Sequence, residues 1–457
     1  MRRELISALH CPYTGSPFQV TAVSSQNASE IGLGVVRSEA GQFPIIAGVL
    51  RLLSDELRQP LAELATHGRG AEALATAFEV QSNNSSWSSL ANRLWRVSHR
   101  RNLGVVAGVL RRSKQRLYRQ VIDLDIAFDE FASKVGAKSW KNWQTYRFSM
   151  PTFQAVYVLS HLARGCRTVL DFGSGLGHAA FLISRLAPDA RVICADYSFT
   201  ALYLAKRFLV PDADCICLDG DYPLPFGDGD LDCVFSTDTL QYIESRLGLA
   251  KEFQRILSPD GRIVLPHLHN RLGPGRYDRA LTARGYSGLF AGMPHRLYPE
   301  GHIVANYAAH DTLDLEQRWA QDDLDRALGG LSLVAATSQS IFRRYAGLLD
   351  TYLDAANQPR INPAYRTRRL GSTMLLERAV EAPYVVERRV QDMVLLPRTW
   401  KVDCGSHTHS ELHGLRHLDR TQLRELARRF LVLELPDRWV SSHNVREAFA
   451  TGGCTRP

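Results

Sequence analysis

One ten-residue stretch constrains this chain more than any other. Val169-Leu170-Asp171-Phe172 is a short apolar run closing on a carboxylate, and Gly173-Ser174-Gly175-Leu176-Gly177-His178 follows it directly. The run reads as a strand, the glycines as a tight turn with positive φ, and the next residues carry helical spacing. The pattern then repeats. Strands are expected at residues 168–172, 191–196, 214–218, 233–236 and 262–266, with helical spacing at 178–186 and 200–208. Strands alternating with helices argue for a parallel sheet covered on both faces. In such a sheet a ligand sits at the carboxyl edge, where a glycine turn lets it approach bare backbone. Apolar runs at 331–337 and 373–377 are expected to complete the sheet.

A glycine turn alone is weak evidence, because dinucleotide enzymes use a similar one. The following elements narrow the choice. The second strand ends Cys194-Ala195-Asp196-Tyr197-Ser198, and a carboxylate there can accept two hydrogen bonds from a ribose diol. The third ends Cys217-Leu218-Asp219-Gly220-Asp221, followed by Leu224-Pro225-Phe226-Gly227-Asp228-Gly229-Asp230-Leu231-Asp232. Singly, each of these residues reads as a turn former or helix cap.

Taken in order, the series resembles the class I S-adenosylmethionine-dependent methyltransferases over residues 150–270. The resemblance implies a Rossmann-like seven-stranded α/β sheet and S-adenosyl-L-methionine as cofactor. By it, Gly173, Ser174, Gly175 and Gly177 cradle the methionine part, while Asp171 fixes the loop and reaches toward the amino group. Asp196 holds the ribose hydroxyls and Tyr197 lies against the adenine. Either Asp219 or Asp221, flanking Gly220, accepts from the adenine amino group. The family places that acid four residues before its Leu; here Asp219 is five before Leu224 and Asp221 three.

On the acceptor side, the resemblance points Asp238 and Tyr242 toward the cofactor sulfonium. The fifth strand ends Pro266-His267-Leu268-His269-Asn270. A histidine there has a pKa suited to removing a proton from an acceptor, and His267 and His269 are the candidates. Buried or capping histidines are the competing reading, and Asn270 reads equally as a turn residue. Methyl transfer is an in-line displacement in which positioning carries much of the rate, so a strong base is optional. The irregular, Gly- and Pro-rich stretch after residue 271 is expected to be a lid, with His295, Arg296, Tyr298 and His302 either lining an acceptor pocket or on a surface loop.

Four units are expected: a small β-rich domain at 1–55, a helical basic linker at 56–125, the methyltransferase domain at 126–380 with a lid insertion about 271–330, and an α+β appendage at 381–457. The first unit resembles the zinc-ribbon activator domain that partners some methyltransferases, through residues 5–18 and 41–53. Thr14 stands where a second cysteine is expected and the later pair is missing, so no metal is expected there; one thiol cannot close a tetrahedral zinc site. Cys404, His407, His409, His413 and His417 form a second cluster, read as solvated or hydrogen-bonded histidines rather than a zinc site.

Composition excludes some classes. Hydrophobic residues at 45% and charged residues at 22% rule out wholesale disorder or a fibrous chain. No apolar run approaches the roughly 20 residues that span a bilayer, and the start, Met1-Arg2-Arg3-Glu4 to Pro12, is not expected to be a secretory signal. Eight cysteines without a C-x-x-C pair fit a reduced, cytoplasmic setting. The net charge of +8 is nearly all arginine, densest at residues 93–119, which read as a solvated helix face ahead of a polyanion surface. A small or medium-sized acceptor, as in secondary metabolism, is therefore expected before RNA or protein. A fold that binds the cofactor without methylating is the third reading. The oligomeric state is not legible.

Overall fold

The computed structural model describes residues 1–25, 29–82, 124–134, 147–149, 154–273, 278–327, 330–355, 359–370, 373–378, 397–403, 415, 418–436 and 438. The basic stretch 93–119 and the cluster from Cys404 to His413, with His417, lie outside the described residues.

Four short strands open the chain: β1 (Gln19–Ser25), β2 (Ile31–Ser38), β3 (Gly41–Ile46) and β4 (Val49–Arg51). The next five are β5 (Thr168–Phe172), β6 (Arg191–Asp196), β7 (Asp214–Cys217), β8 (Leu231–Phe235) and β9 (Leu257–Leu268). Then come β10 (His295–Pro299), β11 (Thr312–Asp314) and β12 (Leu331–Ala336). All but β11 belong to one eleven-stranded sheet ordered β1-β2-β3-β4-β7-β6-β5-β8-β9-β12-β10.

The seven strands from β7 to β10 form the Rossmann-like core of that sheet. Strands β5 to β9 pair in parallel, and β12 runs antiparallel to both β9 and β10. Adjacent residues on each strand point to opposite faces. Val169, Cys194, Cys215 and Cys233 enter one apolar cluster. Leu170, Ile193, Ile216 and Val234 enter the other. Burial on both sides is what near-continuous apolar strands require. Cys194, Cys215, Cys217 and Cys233 are buried, unbridged thiols among these side chains.

Two expectations are corrected here. Residues 373–377 do not complete the sheet: Thr373–Arg378 pairs with Tyr365–Leu370 and Thr399–Asp403 in a separate three-stranded sheet. The missing strand is β10, within the segment read as an irregular lid. That segment also contains the helices Ala283–Leu289 and Glu300–His310. Apolar periodicity missed β10 because Arg296 and Pro299 interrupt it in a strand of five residues.

The N-terminal strands extend the sheet rather than standing apart from it. β4 pairs in parallel with β7, the Leu52 N–H donates to the Cys217 carbonyl at 2.7 Å and the His10 N–H to the Pro225 carbonyl at 2.9 Å. Among the described residues, no helix is long and apolar enough to cross a membrane.

Candidate functional site

A cleft of about 730 Å³ opens at the carboxyl ends of β5, β6, β7 and β8. Strand order reverses between β5 and β8, and open α/β sheets bind ligands at such a point. A groove of about 930 Å³ lies at the opposite ends of the strands, around Arg167, Arg191 and Ala213. It contains none of the glycine turns or strand-end carboxylates.

The glycine turn forms one wall. Gly173 has φ +68°, and a Cβ there would lie 2.1 Å from Thr239 Oγ1, so no other residue fits without displacing the neighbouring loop. Gly175 has φ +51° and open space where its Cβ would stand, leaving a bare stretch of backbone beside the cleft. Its N–H donates to Asp196 Oδ2 at 2.8 Å, and the Ser198 N–H donates to Asp196 Oδ1 at 2.7 Å. The carboxylate at the end of β6 is thus fixed by backbone on both oxygens. Burial raises the Asp196 pKa, and these two N–H bonds work against that rise.

Gly173, Ser174, Gly175, Asp196, Tyr197, Asp219, Gly220, Asp221, Asp238 and Tyr242 all line the cleft. Tyr197 is 56% exposed, offering an aromatic face at the lip. The two neighbouring acids differ. Asp221 Oδ1 accepts from the N–H groups of Glu244 and Ser245, at 2.9 and 2.8 Å, and so latches the following loop. Asp219 Oδ1 accepts only the local Asp221 N–H among the described contacts, at 3.0 Å.

Asp171, Gly177, His267 and His269 do not line the cleft. Asp171 Oδ2 accepts the Ala180 N–H at 2.9 Å, tying β5 to the helix His178–Leu186. Burial pushes its carboxyl up to about 7. Gly177 caps that helix at φ +80°.

The far wall is built from side chains. Asp238, φ +54°, and His267, φ +58°, both adopt the left-handed backbone that non-glycine residues rarely take. Arg147 Nη2 donates to Asp238 Oδ2 at 2.9 Å. On the other oxygen, His269 Nε2 lies 2.9 Å from Asp238 Oδ1, and the Gln241 amide donates to the same atom. Burial alone would raise the Asp238 pKa; the His269 hydrogen bond and the charges of His267 and Arg147 bring it down to about 2. His267 Nδ1 lies 3.0 Å from Glu300 Oε2, and Ser332 Oγ donates to Glu300 Oε1 at 3.0 Å. Burial would lower the His267 pKa, but Glu300 and then Asp238 outweigh it and the net shift is upward.

Sequence reasoning missed Arg147, His178, Thr237 and Glu300. Arg147 is one of several cations in an aromatic-rich stretch, and Glu300 opens a helix straight after β10; neither has a motif. The residues expected around an acceptor pocket in the lid do other work. Tyr298 is buried with its hydroxyl on the Leu315 carbonyl, Arg296 donates to the same carbonyl, and His302 packs on Trp319. Asn270 holds the turn to Leu324 and Asp325 through its side-chain amide.

Residues 170–265 match the family described as methyltransferase domain. Over about 100 residues the chain is similar to the malonyl-[acyl-carrier protein] O-methyltransferase of Marinomonas sp., at 37% identity over 22% of this chain and 37% of that one. It is similar to the demethylmenaquinone methyltransferase of Thermus thermophilus, at 32% identity over 23% and 48%. The mitochondrial arginine-hydroxylase NDUFAF5 of Danio rerio shares 29% identity over 22% and 31%. The matched stretch spans from 20% to 48% of the length of the first such curated relatives.

S-adenosyl-L-methionine is the cofactor that accompanies this domain, and the cleft fits it. It offers bare backbone at Gly175, an exposed aromatic face at Tyr197 and carboxylates at Asp196, Asp219 and Asp221. Among the described residues, the buried Thr237 Oγ1 has no hydrogen-bond partner.

Proposed function

We propose that this protein transfers a methyl group from S-adenosyl-L-methionine to a small or medium-sized acceptor bound beside Asp238, in a biosynthetic role. The observation that carries the reading is the shape of one cleft. Its near wall is glycine turn and backbone-fixed carboxylate, and its far wall is a buried acid–histidine network. The cofactor supplies an activated methyl group on a cationic sulfur. Gly173, Ser174 and Gly175 hold its methionine end, Asp196 the ribose and Tyr197 the adenine face. Asp219, not Asp221, receives the adenine amino group, because Asp221 is committed to Glu244 and Ser245.

On the acceptor side, Asp238 lines the cleft with His269 behind it, and this pair takes up the proton of an acceptor hydroxyl or acidic carbon. Arg147 and Gln241 hold Asp238 in its left-handed conformation. Tyr242, 65% exposed at the cleft mouth, meets the acceptor. The N-terminal strands act as a metal-less activator-like unit: the Tyr13 ring packs edge-on against Tyr222, bracing the loop that carries Asp219 and Asp221.

The test is transfer of labelled methyl from the cofactor to a panel of thioester, quinol and phenol acceptors, with tRNA and protein fractions in parallel. Label in a small-molecule fraction supports the reading. Label only in RNA, with steep loss in salt, would replace it with the nucleic-acid reading. Because a similar stretch occurs in a protein named a hydroxylase, the products are weighed by mass spectrometry. A gain of one oxygen rather than CH₂ would mark a non-methylating enzyme.

A further inference from the structure

We infer that Asp238, His267 and His269 form a binding site for one divalent first-row transition ion at the carboxyl ends of β8 and β9. Among the described residues this is the group of His, Cys, Asp and Glu side chains able to hold a metal ion. Each supplies one ligand atom, and those atoms lie within 4.8 Å of one another. Asp238 Oδ1 and His269 Nε2 are already 2.9 Å apart. Two ligands at about 2.1 Å from a shared ion sit about 3.0 Å apart in octahedral and about 3.4 Å apart in tetrahedral geometry, so this pair needs to open by about half an ångström at most. Two imidazoles and one carboxylate leave open coordination positions and suit zinc, iron, manganese or cobalt rather than magnesium or calcium.

The surroundings are those of a metal centre rather than of a chance cluster. Glu300 engages His267 through Nδ1, which fixes the ring and makes Nε2 its ligating nitrogen; a carboxylate behind a metal-binding histidine is the usual orienting arrangement. Glu300 is itself held by the Ser332 hydroxyl and the His267 N–H. Arg147 takes Asp238 Oδ2, so Oδ1 is the oxygen turned toward the histidines. Asp238 and His267 both hold the left-handed backbone, a strain that such a function would repay.

Asp238 also lines the cofactor cleft. An ion there would take an oxygen of the acceptor as a further ligand and make it more acidic. That role, unlike the binding itself, rests on the methyl-transfer reading. The acceptor it fits has an enolate, phenolate or paired oxygens.

The test uses the full-length protein, stripped with chelator and titrated with Co²⁺ and then Zn²⁺. S-adenosyl-L-homocysteine binding is followed on the same samples. One equivalent of Co²⁺ with visible ligand-field bands is expected, displaced by Zn²⁺. Asp238→Asn and His269→Ala should each lower the affinity at least 100-fold, and Glu300→Gln 10- to 100-fold. A His409→Ala/His413→Ala variant should bind as the wild type does. No stoichiometric Co²⁺, bands unchanged in the first two variants, or bands lost only in the His409/His413 variant would each overturn the site. A variant that still binds the nucleoside is folded, so its metal loss counts. Metal binding without any nucleoside binding would sink the methyl-transfer reading and leave this site standing.

Discussion

The two walls of the cleft are made in different ways. On the β5–β7 side, carboxylates are fixed by backbone N–H groups a few residues away or on the adjacent turn: Gly175 and Ser198 on Asp196, and Asp221 on Asp219. On the β8–β9 side, charged side chains hold one another across long separations. Arg147 reaches Asp238 from 91 residues away and Glu300 reaches His267 from 33. Backbone donors cannot rearrange without unfolding the turn, so the first wall is preorganised. The second stands only while every partner is present, because a buried charge without its counterpart is costly. That makes the far wall the one where acceptor chemistry can be tuned, and also the one a single substitution damages most.

The largest expected effect follows from this. Glu300→Ala should cost about 3–5 kcal/mol of unfolding free energy in urea, because it leaves the buried His267 N–H, its ring Nδ1 and the Ser332 hydroxyl without their shared partner. A loss under 1 kcal/mol would show that the far wall is no more fragile than the near one. Asp196→Ala, on the near wall, should weaken S-adenosyl-L-homocysteine binding by about 1.5–3 kcal/mol in calorimetry while costing little stability. An unchanged affinity would remove Asp196 from the ribose site.

A pH effect sharpens the comparison from behind the near wall. Burial lifts the Asp171 pKa to about 7 in the folded chain, against the ordinary carboxylate value of 3.8. Between those values the folded state keeps a proton that the unfolded chain has released. Stability should therefore fall as pH rises from about 4 to about 7, and level off beyond, by up to about 4 kcal/mol. Comparing urea midpoints across that window, Asp171→Asn should flatten its part of the fall; an identical slope in the variant would contradict the assignment. Smallest is the division between the two acids. Asp221→Ala should lower stability by about 1 kcal/mol and leave cofactor affinity within about twofold, whereas Asp219→Ala should weaken affinity about tenfold. The reverse pattern would give adenine to Asp221.

What the sequence disclosed follows the same divide. Strands β5 to β9 were legible because apolar runs, a glycine turn and strand-end acids are local signals. Asp196 and Tyr197 were legible for the same reason, and both line the cleft. Arg147 and Glu300 were not, since each acts through a contact that exists only once distant elements are packed. The spacing of Asp219 and Asp221 around Gly220 left them equivalent, and no local signal announced that Asp221 accepts from Glu244 and Ser245. Strand β10 was hidden by its brevity and by Arg296. The joining of β4 to β7 had no sequence signal, because a strand of three residues, Val49-Leu50-Arg51, carries too little pattern to reveal its neighbours.

Isothermal titration of the purified chain with S-adenosyl-L-homocysteine tests the central claim most directly. A single saturable site, weakened at least tenfold by Asp196→Ala, is the predicted result. No heat and no thermal stabilisation at millimolar nucleoside would contradict it.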